Sequence, residues 1–357
     1  MSKSYFAGAN TPGGFYGFYE NILPFGRTNR KIYIKGGSGT GKSGLIKRTA
    51  EFFAERGFGE NTEYFYCSND AESLDGVSIP ELGIAAVDAT SPHPADPQLP
   101  AAIDGIFNAA GFLDETYIKS KKELLVQLYA GKKVLYGRAY SYLRAAGEIY
   151  GQNENLYASA VNKTALNELI IGLLKIFGEV KPSKREAADR RLFATAITPE
   201  GVKSLTESAL KAERIYVLQG AGAMGIYELL ETLQKNANLL GLDTVSFKSP
   251  LNPEKTEHLY IKMHENDIAF TTSNRYHEFK AECTERIDFW EFVNKSILAE
   301  SEINYNNEIF GELLQKGIGV MAASKELHIK TEEIYSEGMD FKRMHRAFNA
   351  VLEQIKD

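Results

Sequence analysis

Cysteine is scarce in this sequence. Cys67 and Cys283 are the only two, and their separation fits neither a disulfide framework nor a zinc-binding spacing. That scarcity excludes the cysteine-stapled secreted class and makes a reducing cytoplasm the expected location. An excess of positive charge is also missing. A net charge of −6 argues against a dedicated nucleic-acid binder, which needs clustered Lys and Arg to meet phosphates. No apolar run approaches the roughly 20 residues a membrane helix requires, and Met1 to Phe6 carry no apolar core of a signal peptide. What remains is ordinary globular composition, 43% hydrophobic and 25% charged, in 357 residues that suit two domains.

The strongest local pattern is Gly36-Gly37-Ser38-Gly39-Thr40-Gly41-Lys42-Ser43, a complete G-x-x-x-x-G-K-[ST] phosphate loop. The alternating, β-branched Lys31-Ile32-Tyr33-Ile34-Lys35 predicts a strand before it, and Leu45 to Glu51 predict a helix after it. The glycines allow successive backbone N–H groups to point inward at a positive helix terminus. Lys42 is expected to reach the β- and γ-phosphates and Ser43 to ligate Mg²⁺, so ATP and Mg²⁺ are the expected cofactors. GTP is less favoured, because Asn162-Lys163-Thr164-Ala165 lacks the Asp of a guanine-reading motif.

Candidate acids follow. Asp88 ends the apolar run Ile84-Ala85-Ala86-Val87 and is the candidate Walker-B acid and second Mg²⁺ ligand, although many strand exits carry an Asp. Asp70 and Asp75 lie in Ser68 to Gly76, where a carboxylate serves a phosphoryl acceptor or an attacking water; a polar turn accounts for them equally. The expected catalytic set is Lys42, Asp88 and Asp70. Thr90 and His93, in the proline-stiffened stretch Ala89 to Pro97, are candidate γ-phosphate sensors.

The chain also repeats itself at an offset of about 185 residues. Phe6-Ala7-Gly8-Ala9-Asn10-Thr11-Pro12 returns as Phe193-Ala194-Thr195-Ala196-Ile197-Thr198-Pro199. Ile32-Tyr33-Ile34 before the phosphate loop returns as Ile215-Tyr216-Val217 before Gln219 to Gly225. Tyr64 to Ser68 matches Val245 to Ser249, and Glu148-Ile149-Tyr150 matches Glu333-Ile334-Tyr335. Thr-Pro is expected to start a helix in each copy, carrying Phe15, Phe18, Tyr19 and Ile22 in the first. The expected fold is α/β: a P-loop NTPase fold, mostly parallel sheet with helices on both faces, duplicated, with helical hairpin extensions. The hairpins fall at Glu123 to Tyr150 and Leu156 to Phe177, then at Ile287 to Met321 and Phe341 to Ile355. The expected domains are 1–183 and 184–357, with Lys181 to Glu186 as linker. Arg190 and Arg191 beside it either face phosphate or belong to a solvated linker.

The second copy keeps Gly220, Gly222 and Gly225 but has Ile226 and Tyr227 where Lys and Ser are needed, and Thr271-Thr272-Ser273 where the acid is needed. It is expected to be a degenerate partner that is structural, binds another ligand, or contributes to the first site. Arg275 is a candidate arginine finger, set against the commoner surface arginine.

Three segments, Phe6 to Phe15, Lys35 to Ser43, and Ser73 to Val77 followed by Asp88 to His93, resemble a bacterial family of tandem P-loop proteins. That family is found mainly in Firmicutes and labelled hypothetical ATPase or nucleotide-kinase-like. The resemblance covers the whole chain and implies a P-loop NTPase fold and ATP binding, without a substrate. The expected function is a Mg²⁺-dependent ATPase with one active and one degenerate site. The alternatives are a small-molecule or nucleotide kinase with Asp70 or Asp75 as base, and a non-enzymatic sensor presenting its helices to a protein partner. The expected partners are thus a nucleoside triphosphate and either a protein or a small-molecule acceptor.

Overall fold

The computed structural model describes residues 2–91 and 96–355. The chain forms an α/β structure with two six-stranded sheets. In the first half β1 (Lys3–Phe6), β2 (Gly8–Thr11), β3 (Gly14–Gly17) and β4 (Arg30–Lys35) precede α1 (Lys42–Ala54). Then come β5 (Glu63–Tyr66), β6 (Leu74–Ile79), β7 (Ile84–Asp88), β8 (Asp104–Asn108), α2 (Glu115–Ser120), α3 (Lys122–Ser159) and α4 (Lys163–Leu174). The second half begins with β9 (Asp189–Leu192), β10 (Thr195–Thr198), β11 (Gly201–Ser204), α5 (Thr206–Ala209), β12 (Arg214–Gln219) and α6 (Ile226–Leu239). It continues through β13 (Thr244–Lys248), β14 (Thr256–Ile261), β15 (Ile268–Ser273), β16 (Glu285–Asp288), α7 (Glu300–Glu337) and α8 (Phe341–Gln354).

The first sheet has the order β1-β5-β6-β7-β4-β8 and the second β9-β13-β14-β15-β12-β16, a position-for-position match. Each is mixed, because β6 and β14 run antiparallel to both neighbours while the other pairings are parallel. The sequence reading passed over β6 and β14, whose polar flanks resemble turns.

Helices do not cover both faces, contrary to expectation. Strand alternation sends Ile32, Ile34 and Ala86 to a helix-covered core and Tyr33, Ala85 and Val87 to the other side. There they share a core with Phe247, Tyr260 and Ala269 of the second sheet. The two sheets thus pack through this shared core, with Tyr19, Ile22 and Leu23 among its members.

The Thr-Pro segments are hairpin turns, not helix starts. Thr11 Oγ1 accepts from Gly13 N (3.1 Å) and donates to Gly14 O (2.7 Å), and Gly14 takes φ 113°. Thr198 and Gly201, with φ 115°, repeat this closure. A hydroxyl that satisfies turn amides competes with helix initiation, and a left-handed glycine redirects the chain into a strand. Phe15 therefore lies in β3, and Tyr19 in a short 3₁₀ turn. The β2/β3 and β10/β11 hairpins join across Asn10 and Ile197 into one four-stranded sheet.

The long helices exchange partners. Met344, Phe348 and Leu352 of α8, from the second half, complete the core of the first sheet beside Leu45, Phe52 and Phe53 of α1. Leu166, Ile170 and Leu173 of α4, from the first half, complete the core of the second sheet beside Ile226 and Leu230 of α6. Backbone bridges Leu113–Met339 and Val161–Val293 fix the two crossings. One expected repeat anchor does not correspond: Tyr150 lies well inside α3, whereas Tyr335 stands two residues from the end of α7. Ile287, expected on a helix, is in β16. Among the described residues, no helix is long and apolar enough to cross a membrane.

Candidate functional site

β4 delivers the chain to Gly36, and α1 starts at Lys42. Gly41 caps the helix with φ 78°, a left-handed conformation that glycine tolerates without steric cost. Within the loop, Thr40 Oγ1 donates to Gly37 O at 2.9 Å and Lys42 Nζ donates to the same carbonyl at 2.7 Å. Ser38 Oγ meets His328 Nδ1 at 3.4 Å.

Asp88 ends β7, the parallel neighbour of β4, with Ile34 paired to Asp88. Its Oδ2 lies 3.6 Å from Lys42 Nζ, and its Oδ1 accepts from Thr90 N at 2.9 Å. Thr90 Oγ1 in turn donates to Gly36 O at 2.6 Å, tying the strand exit to the glycine loop. Ser43 Oγ accepts from Leu74 N at 2.9 Å. The sequence-derived residues Lys42, Ser43, Asp88 and Thr90 are therefore gathered at one end of the sheet, where strands of an open α/β sheet present ligand-binding groups. His93 lies outside the described residues.

The loop opens on a cavity of about 660 Å³. Asp70 and Asp75 line it, in different settings. Asp70 accepts from Ser73 Oγ at 2.5 Å and pairs with Lys325 at 3.0 Å. Burial pushes its carboxyl upward, but the Ser73 hydroxyl and the Lys325 ammonium outweigh it and hold the group below the ordinary carboxylate range. A base so stabilised in its charged form is a weak proton acceptor. Asp75 is buried in β6 and accepts from Tyr19 Oη at 2.7 Å, so the stretch expected as a polar turn is partly strand.

The opposite wall comes from α3 and α7. Lys132, Lys133, Tyr136 and Tyr140 project from α3, and Lys325, His328 and Glu332 from α7. Burial lowers the Lys132 ammonium below its ordinary value, with Glu332 opposing the shift. The C-terminal turns of α7 press on the glycine loop: Ser336 Oγ donates to Gly39 O at 3.0 Å, and a Cβ placed on Gly37 would meet the Tyr335 ring at 3.8 Å. No local pattern signalled these residues, because each reads as one more polar position on an amphipathic helix.

Arg275 does not line this cavity. It lies over the ring of Tyr276, which packs on Tyr150 of α3 and Phe310 of α7, so the finger proposal fails on position. Arg190 does not face phosphate either. It forms a two-pronged pair with Glu63, 2.9 Å on each side, and donates to Asn21 O. Gly220, Gly222 and Gly225 form a short turn before α6, and Tyr227 fills the space that a side chain on Gly222 would need. Comparison with protein-family models, with curated proteins and with solved structures finds no match.

Proposed function

We propose that the chain is a Mg²⁺-dependent ATP-binding protein that hydrolyses ATP at the Gly36–Ser43 loop, with the second sheet as its degenerate copy. The supporting observation is the Lys42–Asp88 approach of 3.6 Å at the ends of adjacent parallel strands, beside Ser43 at the helix start. That is the arrangement a triphosphate and its metal require: an ammonium for the phosphate oxygens, and a hydroxyl and a carboxylate as hard oxygen ligands for Mg²⁺. Mg²⁺ bound there would neutralise charge on the transferring phosphoryl group. The cavity beyond the loop is large enough for the organic part of a nucleotide, and Tyr136 and Tyr140 give it an aromatic wall.

The matching strand orders, with Lys and Ser replaced by Ile226 and Tyr227, support a duplication in which one site lost its chemistry. The resemblance to tandem P-loop proteins agrees with this reading. Because α7 presses on the loop, nucleotide binding is coupled to the helix pair α3/α7, the element through which a partner would sense it.

Purified protein is incubated with ATP and Mg²⁺, with and without a pool of metabolites and nucleosides, beside Lys42→Ala. Basal release of ADP and phosphate that disappears in the variant is the expected result. Turnover only with an acceptor, yielding a phosphorylated product, replaces hydrolase by kinase. Nucleotide-dependent thermal stabilisation without turnover replaces it by sensor.

A further inference from the structure

The second half carries a buried cluster that the nucleotide site does not use. Glu257 and His258 are consecutive on β14, and His277 stands on the loop after β15. All three are buried, and one ligand-capable atom from each lies within 4.8 Å of the others. Glu257 occupies the second position of β14, as Asp75 does of β6. His258 takes the third, where the first half has Gly76, a residue whose Cβ would strike Ile22 at 2.8 Å. A histidine at this position is therefore a departure of the second half alone.

The polar atoms are poorly satisfied. His258 is wholly buried, and its Nδ1 lies 2.9 Å from Thr271 Oγ1. In the tautomer that carries its proton on Nδ1, His258 donates to this hydroxyl. Nε2 is then a lone pair with no donor, and His277 Nε2 likewise lacks a hydrogen-bond partner. Glu257 Oε2 lies 3.9 Å from His258 Nε2, accepts from Thr195 Oγ1 at 3.3 Å, and has no Lys or Arg in salt-bridge range among the described residues. Buried imidazole nitrogens without partners are costly, and a cation between them and the carboxylate would satisfy them.

We propose that Glu257, His258 and His277 bind a divalent first-row transition ion of the Zn²⁺ type. Two imidazoles and a carboxylate form a three-ligand set for such an ion, with a fourth position for water. A space of about 30 Å³ beside Glu257 and His277 is large enough to hold a water molecule. Thr271 holds the His258 tautomer, as a histidine ligand's outer partner does. The ion would pin the 274–277 loop to β14, under Tyr150 and Phe310 of the helix pair. Where the first sheet reserves its cavity for a nucleotide, the second holds a metal.

The test uses the full chain, stripped with a chelator and titrated with Zn²⁺ alone, and separately with Co²⁺ as a visible probe. Metal content is expected to reach one ion per chain, with a rise in Tm and the absorption bands of a low-coordinate Co²⁺ site. His277→Gln and Glu257→Gln should each weaken Zn²⁺ binding at least tenfold. Thr271→Val should weaken it about 10–100-fold through the lost outer partner. Lys42→Ala should bind Zn²⁺ unchanged, which separates this ion from any held at the phosphate loop. A folded wild-type chain that takes up no Zn²⁺, or folded ligand variants with wild-type affinity, would overturn the proposal.

Discussion

Phe6, at the end of β1, and Phe193, just after β9, exchange a reciprocal pair of backbone hydrogen bonds, at 2.9 and 3.0 Å. They are the first residues of the two Phe-Ala-x-Ala-x-Thr-Pro segments, and the fifth residues, Asn10 and Ile197, pair as well. Corresponding residues that contact one another define an isologous interface, here inside a single chain. The same reciprocity governs the helices, since α8 completes the first sheet's core and α4 the second's.

A first prediction concerns the exchange. A fragment of residues 1–183 leaves Ile46, Phe53 and Phe107 without the α8 side chains that bury them. It is expected to aggregate or bind a hydrophobic dye, and co-expression with residues 184–357 should restore a soluble complex. In the intact chain, Phe348→Ala is expected to cost about 3–5 kcal/mol, the range for a fully buried aromatic. Denaturant unfolding measures it. A monomeric 1–183 fragment that unfolds cooperatively would show that the crossed helices are dispensable.

A second prediction follows from Gly39. It adopts φ 72°, and a Cβ there would lie 2.3 Å from the carbonyl oxygen of Glu332 on α7. Gly39→Ala therefore carries left-handed strain of about 1–3 kcal/mol and also pushes the loop and α7 apart. Gly44→Ala, in open space on α1, is the comparison and should be neutral or slightly stabilising. Thermal unfolding and ATP titration of both variants check this. Equal Tm and equal affinity for the two would refute the contact as a constraint.

The distribution of legible and illegible features has a physical basis. The strand, glycine turn and helix around Gly36 to Ser43 were readable because they are contiguous in the chain. The place of Asp88 at a strand end was readable because its own apolar run marks it. The far wall of the cavity was not, since Lys132 on α3 and Lys325 on α7 reach the cavity through tertiary packing of two long helices, which no periodicity encodes. Thr11-Pro12 misled for the opposite reason. The same residue pair opens helices and closes hairpins, and Gly14 two residues later decides between them.

A third prediction uses pH. Arg190 on β9 and Glu63 on β5 form a buried pair between the halves, with Ser78 Oγ also donating to Glu63 at 2.8 Å. Burial pushes the Glu63 carboxyl upward, but the Arg190 guanidinium and the Arg190 and Ser78 hydrogen bonds prevail and hold it below its ordinary value. A depressed carboxylate stabilises the fold fully above its unfolded pKa of about 4.3, and this is lost as pH falls through the lower folded value. Arg190→Ala leaves Glu63 buried without its cation and should cost about 3–5 kcal/mol near neutrality. In that variant the Glu63 shift should reverse, so acidification below pH 5 should narrow the gap to wild type. Urea midpoints measured from pH 7 to pH 3 test this, and a gap independent of pH would rule the linkage out.

A fourth prediction distinguishes binding from structure at Lys132. This half-buried ammonium lines the cavity onto which the glycine loop opens and has no carboxylate within salt-bridge distance among the described residues. Burial penalises its charged form, so holding it there costs stability in the absence of an anion, and Lys132→Met should leave Tm unchanged or raise it. If the cavity receives a triphosphate, the same change removes a cation from the phosphate side, and the Kd for ATP should rise about tenfold, equivalent to 1.4 kcal/mol. Lys163→Met, whose ammonium pairs with Glu228 on the second unit, serves as the remote control and should leave ATP affinity unaltered. The affinities come from calorimetric titration of the three proteins and the stabilities from scanning calorimetry. A loss of Tm in Lys132→Met without a loss of ATP affinity would assign the lysine to packing, and the cation facing the loop would then have to be sought at Lys133 or Lys325.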